Sequence, residues 1–493
     1  MAETIPQLPL NTSHSPALPS EPSALLRIFG RNTLWLWIDI GALRIGTLTA
    51  GLFLIRYFGP ANFGLYSTAL AVGWVFNAAT DLGLTRYAAR EVAATPDDRR
   101  PILAGSLLTT FLALLLQVAF LIVALLSGHH GWACIAAGLI LCNFDGTSSL
   151  CSGILTAELR SKSIIPGSIV GALGLIGMAT LVIVMHLSVL AMLLGLCCRS
   201  MVVLCMRLWE LRASWPRRST FERRELERIL RRAWPYFQYN LTQIGYGRVA
   251  IVCFGLIASQ EKVGWFAAAY TIADVVPQWS YACSNSLLPM WTRLFESKRL
   301  QELVELRQRL LDIVVFAAVP LWIALAIFAP QVCRLLGARF EFSAPVLRIV
   351  ASRSLLSVLD GFLGHGYLIA VNRVKERQRA QGRCLVLLGA LTLLLGWLWG
   401  PVGVGAALFI SDSVLILQYL KITTRMEMKI EWPAILPAAI AGGVMIAAVL
   451  ITPHSLTVPV EAALAFVAYF VTLAILSRDR LLSAGHTLKA CVG

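Results

Sequence analysis

Charged side chains set inside long apolar runs are the residues of this 493-residue chain most able to do chemistry. A charge at the bilayer centre costs at least about 3 kcal/mol unless it faces a cavity or a partner. Five arginines lie within such runs: Arg44, Arg199, Arg248, Arg348 and Arg353. The acids at comparable depth are Asp39, Asp145, Asp274, Asp360 and Asp412. At the helical rise, Arg44 falls about 18 Å into a run beginning at residue 32, near a midplane. Arg348 is shallower and can snorkel outward. A guanidinium keeps its charge at any physiological pH and offers a planar fork that matches phosphate oxygens. Arginines at this depth therefore suit contact with an anionic, phosphate-bearing group, Arg44 and Arg248 foremost. The competing reading is structural, with Arg44 or Arg248 paired to Asp39, Asp81 or Asp274 to hold helices together. Asp39 and Asp274 are also candidates for proton- or cation-coupled carboxylates.

Little else in the chain points to catalysis. No Gly-rich loop ending in Lys-Ser/Thr is present, so ATP hydrolysis is not expected. Gly245-Tyr-Gly247 and Gly403-Val-Gly405 lie in apolar runs without a βαβ pattern and read as helix-packing glycines. The seven His lack metal-ligand spacing, with His129-His130 in an outer turn. The eleven Cys are scattered through apolar runs without a CxxC pair and read as small hydrophobes. The expectation is no enzyme, no metal and no cofactor.

The elements that must carry these charges are set by composition. The chain is 57% hydrophobic and only 14% charged, against the roughly 25% charged of a soluble protein. Runs of about 20 apolar residues recur, each long enough to cross some 30 Å of hydrocarbon. They lack the period-2 alternation of barrel strands, so only helices satisfy their backbones in lipid. The sequence therefore predicts an all-α polytopic membrane protein of about fourteen transmembrane helices. They are expected near 32–55, 65–85, 102–127, 133–157, 164–185, 188–206, 233–258, 263–289, 310–329, 344–371, 384–399, 402–420, 434–452 and 460–476, the pair 384–399 and 402–420 being close enough to merge.

Charge orients them. With the N-terminus inside, 33 Lys and Arg fall on inner segments and four on outer ones, Arg56, Lys262, Arg334 and Arg339. The positive-inside rule then places both termini in the cytoplasm, and the basic inner loops suit a bacterial inner membrane. The formal net charge of +15 is spread over inner loops facing anionic headgroups, which excludes nucleic acid as the partner. Residues 1–23, rich in Pro, Ser and Thr, read as a disordered cytosolic tail, and Asn11-Thr12-Ser13 within it as a chance glycosylation match. The loop 207–232 carries nine Arg and a capping-box pattern at Ser219–Glu222, and reads as an amphipathic helix on the inner membrane surface.

An internal repeat organises the whole. Gly64-Leu-Tyr-Ser-Thr-Ala-Leu-Ala-Val72 and Gly264-Trp-Phe-Ala-Ala-Ala-Tyr-Thr-Ile272 share Gly, an aromatic and Ala at equal offsets, 200 residues apart. An even number of spans separates the copies, so they share one membrane orientation, as in parallel-repeat transporters. The expected organisation is a six-helix lobe over 24–206, the basic linker 207–232, a second six-helix lobe over 233–420, two further helices over 421–476 and a cytoplasmic tail 477–493.

The run Arg56-Tyr-Phe-Gly-Pro-Ala-Asn-Phe-Gly-Leu-Tyr66, followed by Thr80-Asp-Leu-Gly-Leu-Thr-Arg-Tyr-Ala-Ala-Arg-Glu91, resembles the opening of polysaccharide-biosynthesis (O-antigen type) flippases. Val263-Gly-Trp-Phe-Ala-Ala-Ala-Tyr270 and Leu288-Pro289 are similar to a matching part of that family. These proteins belong to the multidrug/oligosaccharidyl-lipid/polysaccharide exporter superfamily. The resemblance implies a fourteen-helix fold with a cavity opening alternately to each side. It also implies translocation of an undecaprenyl-pyrophosphate-linked oligosaccharide from the cytoplasmic to the outer face, the polysaccharide polymerase machinery being a possible partner. The phosphate-contacting candidates under this reading are Arg44, Arg248, Arg353, Arg199 and Arg348. An ion-coupled exporter of small organic molecules is the first alternative. A membrane glycan polymerase or ligase is the second, disfavoured by short outer loops, and a scaffold without transport is disfavoured by the duplication.

Overall fold

In the computed structural model, the structure describes residues 22–92, 99–158, 160–212, 215, 223–426, 436–452 and 458–477. The expected tails, the Asn11 motif and the Ser219–Glu222 capping box lie at least in part outside these residues. The described chain is helical throughout, with no strand among the described residues. The protein is an all-α polytopic membrane protein: eight helices are long and apolar enough to cross a membrane, and Leu436–Ile451 is a shorter apolar one.

In chain order the helices are α1 (Pro22–Thr80), α2 (Leu84–Glu91), α3 (Arg99–Leu126), α4 (His130–Ala157), α5 (Ile165–Val184) and α6 (Val189–Glu210). Then follow α7 (Arg223–Ile257), α8 (Gln260–Ala273), α9 (Val275–Glu296), α10 (Leu300–Ile327), α11 (Ala329–Leu336) and α12 (Ala344–Leu359). A π-helical segment, Asp360–Tyr367, leads to the single turn α13 (Leu368–Ala370), then α14 (Val374–Arg425), α15 (Leu436–Ile451) and α16 (Val458–Leu476). Arg223 to Arg232, the end of the basic linker, form the first turns of α7 and run into its apolar part without a break.

Two of these helices contain a Gly-Pro break. Gly59 (φ 68°, ψ 177°) precedes Pro60 in α1, and Gly400 (φ 60°, ψ −140°) precedes Pro401 in α14. Both conformations are closed to residues with a Cβ, and the proline starts the next helical stretch with its φ preset. At Gly400 the break is a hairpin. A Cβ on Gly403 would stand 1.8 Å from the Leu395 carbonyl oxygen. Residues eight apart in one straight helix would be about 12 Å apart. The adjacent spans at 384–399 and 402–420 are thus one continuous helical run folded back on itself.

The described residues form two compact units, one within 1–50 and 73–241, the other within 51–72 and 242–493. In the first, α4 packs on α2, α3 and α6, and α5 packs on α6. Helix α4 is mostly buried, with small residues (Ala133, Ala136, Ala137, Gly138) where its neighbours come close, and it carries polar residues such as Asp145 and Ser149 on one side. By contrast α3 shows Phe111, Leu112, Leu115, Leu116, Val123 and Leu126 at its surface, a face for lipid rather than water. Cys134, Cys142, Cys151 and Cys197 are buried and form no disulfide among the described residues. In the second unit α12 packs on α8, α9, α10 and α14, and α15 pairs with α16 and α10.

The repeat has a physical expression within the second unit. A Cβ on Gly64 would stand 1.8 Å from the Gln260 carbonyl oxygen, and a Cβ on Gly264 would stand 1.8 Å from that of Pro60. Each repeat glycine thus rests on the carbonyl four residues before the other. This reciprocity is the mark of a local two-fold relation between α8 and the 60–72 stretch, and only glycine permits so close a backbone approach.

Candidate functional site

In the first unit, three helices and part of α1 enclose a cavity of about 320 Å³. Its polar lining comes from Asp145, Ser148 and Ser149 on α4, Ser168 on α5, and Arg199 and Arg207 on α6, with Trp74 and Thr47 from α1. Helix α5 makes room for the long α6 side chains because its facing positions are glycines. A Cβ at Gly174 would stand 2.9 Å from Arg199 Cγ, and one at Gly167 would stand 3.7 Å from Arg207 Nε. The arginine stems lie in that groove and carry their heads toward α4.

Arg199 Nη2 donates to both Asp145 carboxylate oxygens, at 3.1 and 3.2 Å, and to Ser200 Oγ at 2.7 Å. Its Nη1 reaches the Gly171 carbonyl at 3.5 Å. Its Nε is buried without an acceptor among the described residues. The pair is only partly covered, the Asp145 side chain remaining 28% exposed toward the cavity. Arg207 Nη1 donates to the Ser148 carbonyl at 2.9 Å and to Ser148 Oγ at 2.8 Å, and its Nη2 donates to Ser168 Oγ at 3.2 Å. The cavity lining thus carries two guanidinium groups against one carboxylate. Such a lining combines donors for phosphate oxygens, hydroxyls and a carboxylate for polyol hydroxyls, and an indole that can stack on a sugar face.

The second unit holds a different arrangement, a buried network with little free space. Asp412 on α14 accepts from Arg353 Nε at 2.7 Å, from Ser357 Oγ at 3.1 Å and from the Tyr246 hydroxyl. The Arg353 guanidinium also lies 5.3 Å from the Tyr270 ring centroid. One turn away, Asp360 accepts from the Tyr281 hydroxyl at 2.8 Å, with His365 Nδ1 3.8 Å from its carboxylate. Arg377 Nη2 donates to Gln243 Oε1 at 3.0 Å and meets the His365 ring at 3.1 Å. The π-helical register of Asp360–Tyr367 places Asp360 and His365 together, five residues apart. Glycines at 361, 364 and 366 let Ser280, Tyr419 and Trp291 close over that segment.

A family model for polysaccharide biosynthesis proteins matches residues 29–295, more than half of the chain. The chain belongs to the polysaccharide biosynthesis protein family. Among solved structures, the lipid II flippase MurJ in an inward closed conformation matches with a TM-score of 0.73 at 13% identity, covering 91% of this chain and 99% of that one. An inward-facing multidrug resistance MATE transporter of the MOP superfamily matches with a TM-score of 0.56 at 14% identity, over 79% of this chain and 97% of that one. A mutant of the Vibrio cholerae MATE transporter VcmN gives 0.51 at 15% identity, over 82% and 98%. These likenesses show a shared transporter fold. A search of curated proteins finds no match to the chain.

The arginines of this family member that stand out in sequence occupy four different settings. Arg199 lines the first-unit cavity. Arg248, on α7, is half-buried near Tyr270 and makes no hydrogen bond or ion pair among the described residues. Arg353 is buried against Asp412, both side chains under 10% exposed. Arg348 is exposed on α12. Arg44 and Asp39 sit on α1, but their side chains lie outside the described residues. Asp274 caps α8 and accepts from Gln278 Nε2 at 2.7 Å. Sequence reading missed Arg207, counted there among loop cations, together with Ser148, Ser168 and Trp74. The signal available was the Gly167/Gly171/Gly174 spacing on α5 opposite Arg199 and Arg207, eight residues apart on one face of α6.

Proposed function

We propose that the protein translocates an undecaprenyl-pyrophosphate-linked oligosaccharide from the cytoplasmic to the outer face of a bacterial inner membrane, by alternating access of two lobes. The family is one of polysaccharide biosynthesis, and the transporter fold is that of MurJ and the MATE exporters. The observation that carries the reading is the first-unit cavity. It offers a partly exposed Arg199–Asp145 pair with an unfilled donor at Arg199 Nε, a second guanidinium at Arg207 and three serines. A small cationic cargo would call for a net acidic lining, and this lining is net basic.

In this mechanism Arg199, with Arg248 and Arg44, contacts the pyrophosphate in turn as the head group crosses, and the polyprenyl chain stays in lipid. Arg353 acts mainly through its pairing with Asp412. Asp39 and Asp274 are the carboxylates available for coupling to an ion gradient. The deciding experiment deletes the gene and identifies undecaprenyl-linked oligosaccharides in membrane extracts. A complete unit accumulating on the cytoplasmic face, with loss of surface polymer, supports flipping and names the cargo. Unchanged lipid-linked sugars sink the reading and bring forward an exporter of small organic molecules.

A further inference from the structure

The hairpin at Gly400 brings the two far ends of α14 together, and there the second unit has another cavity, of about 450 Å³. It is separate from the buried Asp412 network, and neither family nor fold assigns it. On the first arm Arg373, Glu376, Arg379 and Arg383 face it, and on the second Gln418, Lys421 and Arg425. Each set recurs at three- and four-residue spacing, so two helical stripes face one another across the opening. Five of these side chains are cationic and one is anionic.

The single acid is already engaged, by Arg373 Nη1. Arg379, Arg383, Lys421 and Arg425 are exposed and have no hydrogen-bond or ion-pair partner among the described residues. Arg379 and Arg383 are four apart on one helix, as are Lys421 and Arg425 on the other, and like charges so placed repel. A general excess of inner-loop cations does not require this convergence into one concave site. An anion seated among them would relieve the repulsion. The floor is apolar (Ala380, Ile422, Met426), and a turn or so deeper Val386 and Leu417 are 73% and 64% exposed, the surface that lipid covers. The site therefore opens where the hairpin enters hydrocarbon, on the side that the charge bias assigns to the cytoplasm.

We propose that this cleft binds the phosphate headgroup of a membrane lipid, with Arg379, Arg383, Lys421 and Arg425 on the phosphate oxygens and the acyl or prenyl chain running down α14. The proposal stands whether or not the transported cargo is the one argued above. Two lipids supply this chemistry, an anionic phospholipid of the bilayer and a polyprenyl diphosphate.

The test uses the purified full-length protein and native mass spectrometry, titrating phosphatidylglycerol, undecaprenyl diphosphate and zwitterionic phosphatidylcholine separately. The variant Arg379→Gln/Arg383→Gln/Lys421→Gln/Arg425→Gln changes only exposed side chains. Lys298→Gln/Arg309→Gln, at exposed cations outside the cleft, serves as the control. The expected result is at least tenfold weaker retention of anionic lipid by the quadruple variant, with the control unchanged and phosphatidylcholine retained weakly by all three proteins. Preference for the diphosphate over phosphatidylglycerol assigns the cleft to the polyprenyl carrier, and equal retention assigns it to bulk phospholipid. Equal retention of anionic lipid by the quadruple variant and the wild type overturns the proposal, as does equal retention of phosphatidylcholine. A monodisperse elution profile and unchanged thermal midpoint for the variant exclude misfolding as the cause of lost binding.

Discussion

Two arginine–aspartate pairs in this protein have the same composition and opposite physical meaning. Arg353 and Asp412 are sealed together and surrounded by Ser357, Tyr246 and Tyr270. Removing one partner of such a pair strands a buried charge, at about 3–5 kcal/mol, whereas replacing both with apolar residues of similar volume can be neutral. Asp412→Leu alone is therefore expected to lower the thermal midpoint of the purified protein sharply, and Arg353→Met added to it to restore most of the loss. If the double variant is as unstable as the single, the pair is not the source. Arg199 and Asp145 instead border open cavity, and Arg248 has no hydrogen-bond or ion-pair partner among the described residues to lose. Arg199→Ala and Arg248→Ala are expected to leave the thermal midpoint within a few degrees while reducing surface polysaccharide at least tenfold. Arg199→Lys should rescue poorly, because an ammonium cannot reproduce the planar fork. Normal polymer from both alanine variants at wild-type protein level would remove these residues from the transport path.

At the scale of the element, glycines do two separable jobs. Gly64 and Gly264 have ordinary helical backbones, and what they supply is absence of a side chain at a crossing where a Cβ would overlap a carbonyl. Gly400 is the converse case, since a Cβ there meets nothing within 4 Å but its φ of +60° strains any other residue. The strain at such a position costs on the order of 1–3 kcal/mol. Gly400→Ala should thus lower stability by about that amount without moving neighbouring helices. Gly64→Ala and Gly264→Ala should cost at least as much, by forcing the helices apart. Thermal melts combined with cysteine crosslinking between the 60–72 stretch and α8 separate the two effects. Crosslinking efficiency should fall in the Gly64 and Gly264 variants and hold in the Gly400 variant. The reciprocal contact also gives the repeat a reason. Two nine-residue segments 200 residues apart keep glycine at the same offset because each is the other's surface.

For the whole molecule, composition and charge carry a topological expectation that is directly measurable. A fluorescent protein fused to the C-terminus should fluoresce, and alkaline phosphatase fused there should be inactive, because that end is assigned to the cytoplasm by the bias in Lys and Arg. The opposite pattern would invert the orientation of every cavity argued above. The chain belongs to the polysaccharide biosynthesis protein family and shares the fold of MurJ, and the orientation is the expectation this test adds to them.

The fourteen apolar runs were legible in the sequence because crossing hydrocarbon is a local demand, about 20 apolar residues whatever the neighbours. The runs fall on helical segments, though 65–85 passes from α1 into α2, 263–289 is divided between α8 and α9, and 344–371 passes through α12, the π segment and α13; the closeness of 384–399 to 402–420 resolved into one hairpin about Gly400. Which arginines fall inside apolar runs could be read as well, from position alone. Their partners could not, because pairing depends on helix rotation and on which helices adjoin, and both are set by packing. Arg199 meets Asp145 across 54 residues, and Arg207, by position a loop cation, turns back to Ser148 and Ser168. The meeting of Asp360 with His365 needs a π-helical register that 3.6-residue periodicity does not announce. Composition and spacing alone suffice for a helical, membrane-spanning chain with an internal repeat. Which of its buried charges are sealed in pairs and which face a cavity comes from packing, since that is a property of neighbours and not of spacing.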